Sequence, residues 1–275
     1  MTKKIQIYKF TCMRPGGNDT ALVSGIPSSQ KLRSEINKRI MKKHRNIEQV
    51  GFVNLDKNSP ELVMAGGEFC GNATRSTAWK FLDGKPGNIE IKVSGVENKL
   101  KAGITEAGHA FAQMPIFDNP KFIIPDEDNP GNYTVQMEGI THYIDFDTEK
   151  LKDLTNEEIK KLGMREIKKR KLDDGPAAGA IYVIEKKNQI HIVPIIYVKA
   201  INTEFLESGC GSGTTALGMV MALKARKSIK NVPIYQPSDL PITVSVKYEN
   251  NKFVYAQISG PVEKLDSGTL EFNIN

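Results

Sequence analysis

The sequence predicts an α+β (mixed α/β) fold built as two similar halves, and three observations lead there. Short β-type runs outnumber helical ones along the 275 residues. The second part of the chain repeats the element order of the first loosely. Two segments, Gly67–Thr74 and Glu207–Thr214, each place Cys-Gly-(Asn/Ser) between an extended run and a helix of small and apolar residues. Their cysteines are 210 − 70 = 140 residues apart, about half the chain. Two copies of one motif at that spacing suggest a duplicated domain with pseudo-twofold symmetry, which would set the two helix entrances face to face across a cleft.

The elements follow in order. Ile5–Phe10 reads as a strand, and Arg14-Pro15-Gly16-Gly17-Asn18-Asp19 as a turn or loop. Leu32, Ile36 and Ile40 recur every fourth residue, so Gln30–Lys43 is a helix capped by Ser28 or Ser29. Val50–Leu55 and Glu61–Ala65 are short strands, and Gly71–Leu82 is a buried helix. Asn88–Ser94, Asn98–Ile104 and His109–Met114 alternate as a meander. The pattern breaks at Pro115–Pro120, and a domain boundary falls near residue 117. Strands at Tyr133–Met137 and Thr141–Phe146 then lead to a helix from Asn156 with the capping box Thr155-x-x-Glu158. Strands at Ala178–Glu185 and Gln189–Tyr197 precede the second small-residue helix, Gly211–Arg226. Ile242–Tyr248 and Phe253–Ser259 are two more strands. The tail, Gly268–Ile274, is a final strand placed as a return to the first domain. The expected domains are 1–117 plus about 263–275, carrying Cys70, and 118–262, carrying Cys210.

Composition narrows the class. With 39% hydrophobic and 25% charged residues, wholesale disorder is excluded. No run approaches the ~18 apolar residues of a membrane span, and Met1–Phe10 lacks the apolar core of a secretory signal. Three cysteines, at 12, 70 and 210, are a poor disulfide framework and fit a reducing, cytoplasmic setting. The four histidines (44, 109, 142, 191) do not fall at zinc spacings, so no metal is expected. The formal charge of +6 is concentrated in Lys31–Arg45 and Lys160–Lys171. Both stretches read as solvated faces of amphipathic helices. A non-catalytic basic RNA-binding protein would interleave aromatics with such clusters, and residues 160–171 contain no Phe, Tyr or Trp. No nucleic-acid partner is expected.

The paired motifs carry the chemistry. A cysteine at a helix N-terminus meets unsatisfied N–H groups and the positive end of the macrodipole, which lowers a thiol pKa. The glycine after it, Gly71 or Gly211, lets backbone N–H groups approach a ligand closely. The same N–H groups, with those of Asn72 and Ser212, bind a carboxylate. Two such entrances around one carboxylate would put a thiolate on one face of an α-carbon and a thiol on the other. One would remove the α-proton and the other would deliver a proton to the opposite face, inverting the centre without a pyridoxal or any other cofactor. Cys12 precedes no helix start and reads as packing. Asn18 and Asn72 could hold the substrate's ammonium or carboxylate, or cap a loop and a helix. Glu48 and Glu207 could bind the ammonium or side chain, or stand as exposed acids. His142 reads as a strand residue near the cleft.

At these residues the sequence resembles the cofactor-independent amino-acid racemases and epimerases, a family that includes diaminopimelate epimerase, proline racemase and the phenazine-biosynthesis isomerases. Gly17-Asn18-Asp19 is similar to the family's N-terminal segment, and Glu48-Gln49-Val50-Gly51-Phe52 to its acid/Gln segment. Cys70-Gly71-Asn72 and Cys210-Gly211-Ser212-Gly213 are similar to its two catalytic-cysteine motifs, and Ser259-Gly260-Pro261 to a late signature. The resemblance covers nearly the whole chain. It implies two domains, each a curved sheet wrapped on a central helix, with the site between them. It also implies a single amino acid as substrate, no cofactor and a possible homodimer.

Departures refine the expectation. Diaminopimelate epimerases bind a second amino-acid head group with polar residues. The corresponding places here hold Met64, Ile140-Thr141-His142, Ile196-Tyr197 and Ile201-Asn202. Burying a second zwitterion there would cost several kcal/mol, so a single-headed amino acid is favoured over diaminopimelate. Leu62-Val63-Met64, Glu68–Thr74, His142-Tyr143, Pro194–Tyr197 and Glu207-Ser208-Gly209-Cys210 are most similar to the histidine racemases. Another isomerase of the same fold is the alternative, and the phenazine-type relatives lack the cysteine pair.

Overall fold

The first helix shows how local sequence becomes tertiary structure. Ser29 is its N-cap, accepting a hydrogen bond from the Leu32 N–H through its hydroxyl. Four-residue spacing then turns Ile36 and Ile40 to one side, where both are fully buried with Phe10, Phe52 and Phe272. Lys42 and Lys43 fall in the last turn, where positive charge favours the carbonyl end of the dipole. The computed structural model describes residues 4–274.

The architecture is mixed α/β, with a largely antiparallel sheet system and four α-helices. The first part runs β1 (Lys4–Arg14), β2 (Thr20–Ser24), α1 (Gln30–Lys43), β3 (Gln49–Asn54), β4 (Glu61–Met64), α2 (Gly71–Phe81), β5 (Gly87–Val93), β6 (Leu100–Ile104) and β7 (Ala110–Gln113). After a short β8 (Ile123–Pro125) come β9 (Tyr133–Met137), β10 (Ile140–Asp145), α3 (Asn156–Lys169), β11 (Ala177–Lys186) and β12 (Gln189–Val198). The chain ends with β13 (Thr203–Leu206), α4 (Gly211–Ala225), β14 (Ile229–Tyr235), β15 (Pro241–Glu249), β16 (Lys252–Gly260) and β17 (Glu263–Ile274).

Strand pairing repeats. β1–β2 and β9–β10 are antiparallel, while β2–β3 and β10–β11 are parallel pairs crossed over by α1 and α3. β3–β4 and β11–β12 return antiparallel. α2 then crosses from β4 to its parallel neighbour β5, and α4 lies between β12 and its parallel neighbour β14. The hairpins β5–β6–β7 and β14–β15–β16 follow. The two series meet where β7 pairs antiparallel with β16, with Ala112 opposite Ile258. β17 returns across the molecule to pair along β1, as the tail was expected to, but it begins at Glu263.

Helices α2 and α4 are the central ones. In α4 the residues from Gly213 to Val220 are all buried, so it has no solvent face to be amphipathic about. It packs on β15, β16, β10 and β14. α2 packs on β6, β7 and β2. The largest core cluster joins both helices to both strand series through Met114, Ile181, Val244, Ile258 and their neighbours.

Four strands lie outside the expected set. β2 is buried at Thr20–Val23, so it shows no alternation, the signature of an inner strand. β14 contains Pro233 and a register shift between Ile229 and Val232, both of which obscure a strand. β8 and β13 are three and four residues long.

The expected solvated basic face also needs one correction. Arg170, at the C-cap of α3, is largely buried and its guanidinium stacks over the Tyr143 ring at 3.4 Å. It pairs with Asp126 at 2.5 Å and with Glu166. Its neighbours Arg165, Lys168 and Lys169 are exposed.

Candidate active site

Cys70 and Cys210 are the N-caps of α2 and α4. Both hold extended backbone, and each thiol sulfur accepts a hydrogen bond at 3.3 Å, from the Ala73 N–H and the Gly213 N–H respectively. Thr74 and Thr214 each return a hydroxyl bond to the cysteine carbonyl, at 2.8 and 2.7 Å. The two entrances are thus built alike, down to the residue that ties the cap. They also approach one another. A side chain on Gly71 or Gly211 would strike the same Ile258 methyl, and a Cβ on Gly211 would stand 3.3 Å from the Asn72 amide oxygen. Glycine at both places lets the helix entrances crowd one point.

One cavity holds both thiols. Its walls are Gln49, Glu68, Phe69, Cys70, Gly71 and Asn72 on one side. Ile140, Ala177, Ile196, Val198, Glu207, Cys210, Gly211 and Ser212 complete it. Its volume is about 30 Å³, room for a water or so, hence an amino acid enters only when the walls part. Among the described residues no cluster of three His, Cys, Asp or Glu is placed to hold a metal ion.

A hydrogen-bonded chain spans the cavity. The Cys70 thiol donates to the Gln49 carbonyl oxygen at 2.7 Å, and the Gln49 amide donates to the Glu207 carboxylate at 2.7 Å. Glu207 in turn lies close enough to Cys210 for its charge to push that thiol up, and the Cys210 sulfur meets the Ser212 hydroxyl at 3.6 Å. The Cys210 N–H donates to Gln236, whose own amide is tied to Thr214, so the second cap is braced from behind.

The electrostatics reverse one expectation. The helix ends do donate to both sulfurs, but neither thiol is shifted toward ionisation. Burial pushes Cys70 up to about 12, and the nearby Glu207 and Glu68 carboxylates add to it against the Ala73 N–H. Cys210 is raised well above its usual value by burial and by Glu207. Desolvation and negative neighbours outweigh the dipole in this closed cavity. Glu207 itself is pushed up to about 8, by burial and then by Glu48, and Glu68 to about 7 by burial.

The sequence-derived candidates separate into two groups. Cys70, Cys210, Gly71, Asn72, Gly211, Ser212 and Glu207 line the common cavity. Glu207 is buried, with 4% of its surface exposed, which removes the reading of it as an exposed acid. Asn18 and Glu48 sit behind the wall. Asn18 donates to Glu48 at 3.2 Å, and Glu48 accepts from the Ser208 N–H at 3.1 Å and from its hydroxyl. These bonds tie the first loop to the one entering α4. Asn72 serves the same joint, donating to the Gly209 carbonyl at 2.8 Å and accepting from Arg75 at 2.9 Å. Arg75, wholly buried, reaches on to the Pro15 carbonyl. Cys12 is buried among Tyr8, Phe10 and Ala21, away from the cavity, as packing requires. Of the positions read as a lost polar subsite, Ile140 and Ile196 line the cavity, whereas Met64 is core and His142 is wholly buried.

Gln49 and Glu68 were not singled out as site residues. Gln49 follows Glu48 directly and opens β3, where alternation sends neighbours to opposite sides. The amide therefore turns into the cavity while the acid beside it turns to the loop entering α4. Glu68 lies two residues before Cys70, and its proximity to the motif was the available signal.

Solved structures with this fold are isomerases and PhzF-family proteins. A hydroxyproline epimerase from Agrobacterium vitis matches with a TM-score of 0.68 at 12% identity, over 99% of this chain and 93% of that one. A phenazine biosynthesis protein of the PhzF family from Enterococcus faecalis matches with a TM-score of 0.62 at 14% identity, over 96% and 99%. Sequence narrows the class. The family described as the histidine racemase CntK N-terminal domain matches residues 7–270. A histidine racemase of Fusobacterium nucleatum is 32% identical over 98% of both chains. One from Staphylococcus aureus is 27% identical over 96% of this chain and 97% of that one. The chain belongs to the histidine racemase family and is an isomerase of the racemase class.

Proposed function

We propose that this protein racemises histidine by proton transfer between Cys70 and Cys210, with no cofactor. The observation that carries the reading is the pair of matched helix N-caps facing one cavity, bridged by Gln49 and Glu207. The α-carboxylate of the substrate lies at the N-terminal turns of α2 and α4, where the N–H groups of Gly71, Asn72, Gly211 and Ser212 lack helical partners. The α-ammonium faces Glu207. A positive charge about 4 Å from a thiol at an effective dielectric near 20 is worth about 4 kcal/mol, close to 3 pK units. Such a charge opposes the upward push that burial, Glu207 and Glu68 give Cys70, so the bound ammonium favours a thiolate. The thiolate takes the α-proton, and the electron pair spreads into the carboxylate against the helix N–H groups. The opposite thiol then delivers its proton to the other face. One thiolate enters and one leaves, on the other cysteine, and the pair titrates as a unit.

The two bodies 1–117 plus 263–275 and 118–262, each wrapped on its central helix, part to admit substrate. The apolar wall of Ile140, Ala177, Ile196 and Val198 argues against diaminopimelate, whose second head group would have no charged partner there. A homodimer is part of this proposal, since Ile5 and Ile7 stand 56% and 58% exposed on β1. Nucleic acid has no part in this reading. No helix of the described residues is long and apolar enough to cross a membrane. The three cysteines are free, which suits a reducing, cytoplasmic compartment.

The test is to incubate the reduced protein with L-histidine in deuterated buffer and follow α-proton exchange by NMR together with optical rotation. Exchange with decay of rotation to zero is expected. Exchange of another amino acid but not histidine would remove the substrate assignment, and exchange of none would remove the mechanism.

A further inference from the structure

We infer that Glu68 is the specificity-determining residue of this site, accepting a hydrogen bond from a ring N–H of the substrate side chain. The inference rests on the racemase reading above and names the residue that selects a nitrogen heterocycle. Glu68 lines the cavity with Ile140, Ala177, Ile196 and Val198. Of the two acids lining the cavity, Glu68 and Glu207, it is the one without a hydrogen-bonded side-chain partner. The residue is only 9% exposed, and although the Gly66 and Glu68 N–H groups lie near its carboxyl, its Oε2 is buried without a hydrogen-bond partner. That oxygen lies against Gly66, as does a methyl of Val198, itself a residue of the cavity wall. A carboxylate taken out of water and left unpaired is costly, and proteins keep one where something else supplies the donor.

The backbone around Glu68 is clamped. Its carbonyl accepts from the Ser94 hydroxyl at 2.7 Å, and the same hydroxyl accepts from the Met64 N–H at 2.9 Å. Gly95 holds a φ of +78°, with its Cα so close to the Glu68–Phe69 peptide that no side chain fits. The backbone that carries the carboxylate is therefore fixed before substrate arrives.

Accounting for the substrate leaves Glu68 one task. The helix N-terminal turns take the α-carboxylate. Glu207 already accepts from Gln49 and stands between the thiols, so it serves the reacting end. A side chain reaching the far wall meets four apolar residues and one free acceptor. A flat apolar ring bearing an N–H at its edge satisfies both. A phenyl or thienyl ring fills the same space and leaves the carboxylate orphaned.

The experiment compares the wild type with Glu68→Leu in two measurements: kcat/KM for α-proton exchange of L-histidine, and the inhibition constant of 3-(2-thienyl)alanine against that exchange. Removing the acceptor is expected to lower histidine kcat/KM by about 100-fold or more, mainly through KM, while thienylalanine binds as well or better. Equal changes in both, or no change in either, overturn the assignment. Where Glu68→Leu does not fold, Glu68→Gln carries the same comparison with a smaller expected loss of about 10-fold, and an unchanged ratio overturns it. Absence of histidine exchange in the wild type is a separate result, which removes the histidine reading itself and this inference with it.

Discussion

The side-chain amide of Gln49 donates to the Glu207 carboxylate at 2.7 Å, across 158 residues of sequence. Because the other end of the same amide accepts from Cys70, one residue orients a thiol from the first half and an acid from the second. Gln49→Leu keeps the bulk and removes both bonds. It is expected to lower kcat for exchange by about 100-fold while KM changes little, since proton transfer by a positioned group is worth about 10²–10⁴. The pH profile separates positioning from mere folding: the acidic limb, where Glu207 ionises to face the ammonium, should move to higher pH in Gln49→Leu, because Glu207 loses a donor that favours its charged form.

Each thiol should be indispensable to inversion. Cys70→Ala and Cys210→Ala are expected to lose at least about 10³-fold in racemisation with circular dichroism unchanged. Both positions are N-caps, so alanine also removes a cap bond and costs about 1 kcal/mol in stability. Serine in the same places restores the cap but not the proton chemistry. Recovery of melting temperature without recovery of activity is the expected pattern. Full activity in any of the four variants contradicts the two-thiol mechanism.

Stability should fall as pH rises from about 6.5 to 9. Glu48 and Glu68 are pushed up to about 7 and Glu207 to about 8, each by burial first. A carboxyl with a raised folded pKa binds more protons folded than unfolded. Its contribution is therefore complete below the unfolded value and lost through the folded one. His142 works the other way, since burial lowers it to about 3 and it destabilises the fold only below its unfolded value of 6.5. Thermal melts across pH 6.5–9 should show a decline of several degrees. Glu207→Gln should flatten it, and an unchanged slope in that variant would show that Glu207 titrates near its ordinary value.

Arg170 fastens α3 to the β8–β10 edge. It lies on the Tyr143 ring and pairs with Asp126, 44 residues away, in a largely buried setting. Arg170→Ala is expected to cost about 2–3 kcal/mol in urea denaturation, by stranding the Asp126 carboxylate and uncovering the ring. Lysine should recover less than half of that, because a point charge neither stacks flat nor bonds two acids in a fork.

Much of this could be read from the residues. Helix α1 has the predicted bounds, and α3 starts at its predicted capping box, because caps and four-residue spacing are local signals. The two Cys-Gly entrances were legible for the same reason. What stayed hidden depends on burial and on distant partners. β2 shows no alternation because its Thr20–Val23 face nothing but protein. Glu207 looks like any surface acid until Gln49 and Cys210 close over it. The upward shift of both thiols follows from the depth of the cavity, which no spacing encodes, and it outweighs the helix-end effect that the motif advertises.

The pairing of β17 along β1 sets the order in which the molecule can be made. Among the described strands β1 is synthesised first and its partner last, with Lys4 opposite Ile274. The strands around Cys210 can pair with one another while β1 still shows an open edge. Contacts of such long separation form slowly, and an open apolar edge is exposed in the meantime. A nascent chain therefore carries both cysteines and all their cavity walls before the strand that closes the β1 edge has been made. Chains cut short before Glu263 should be not merely weak enzymes but aggregation-prone ones.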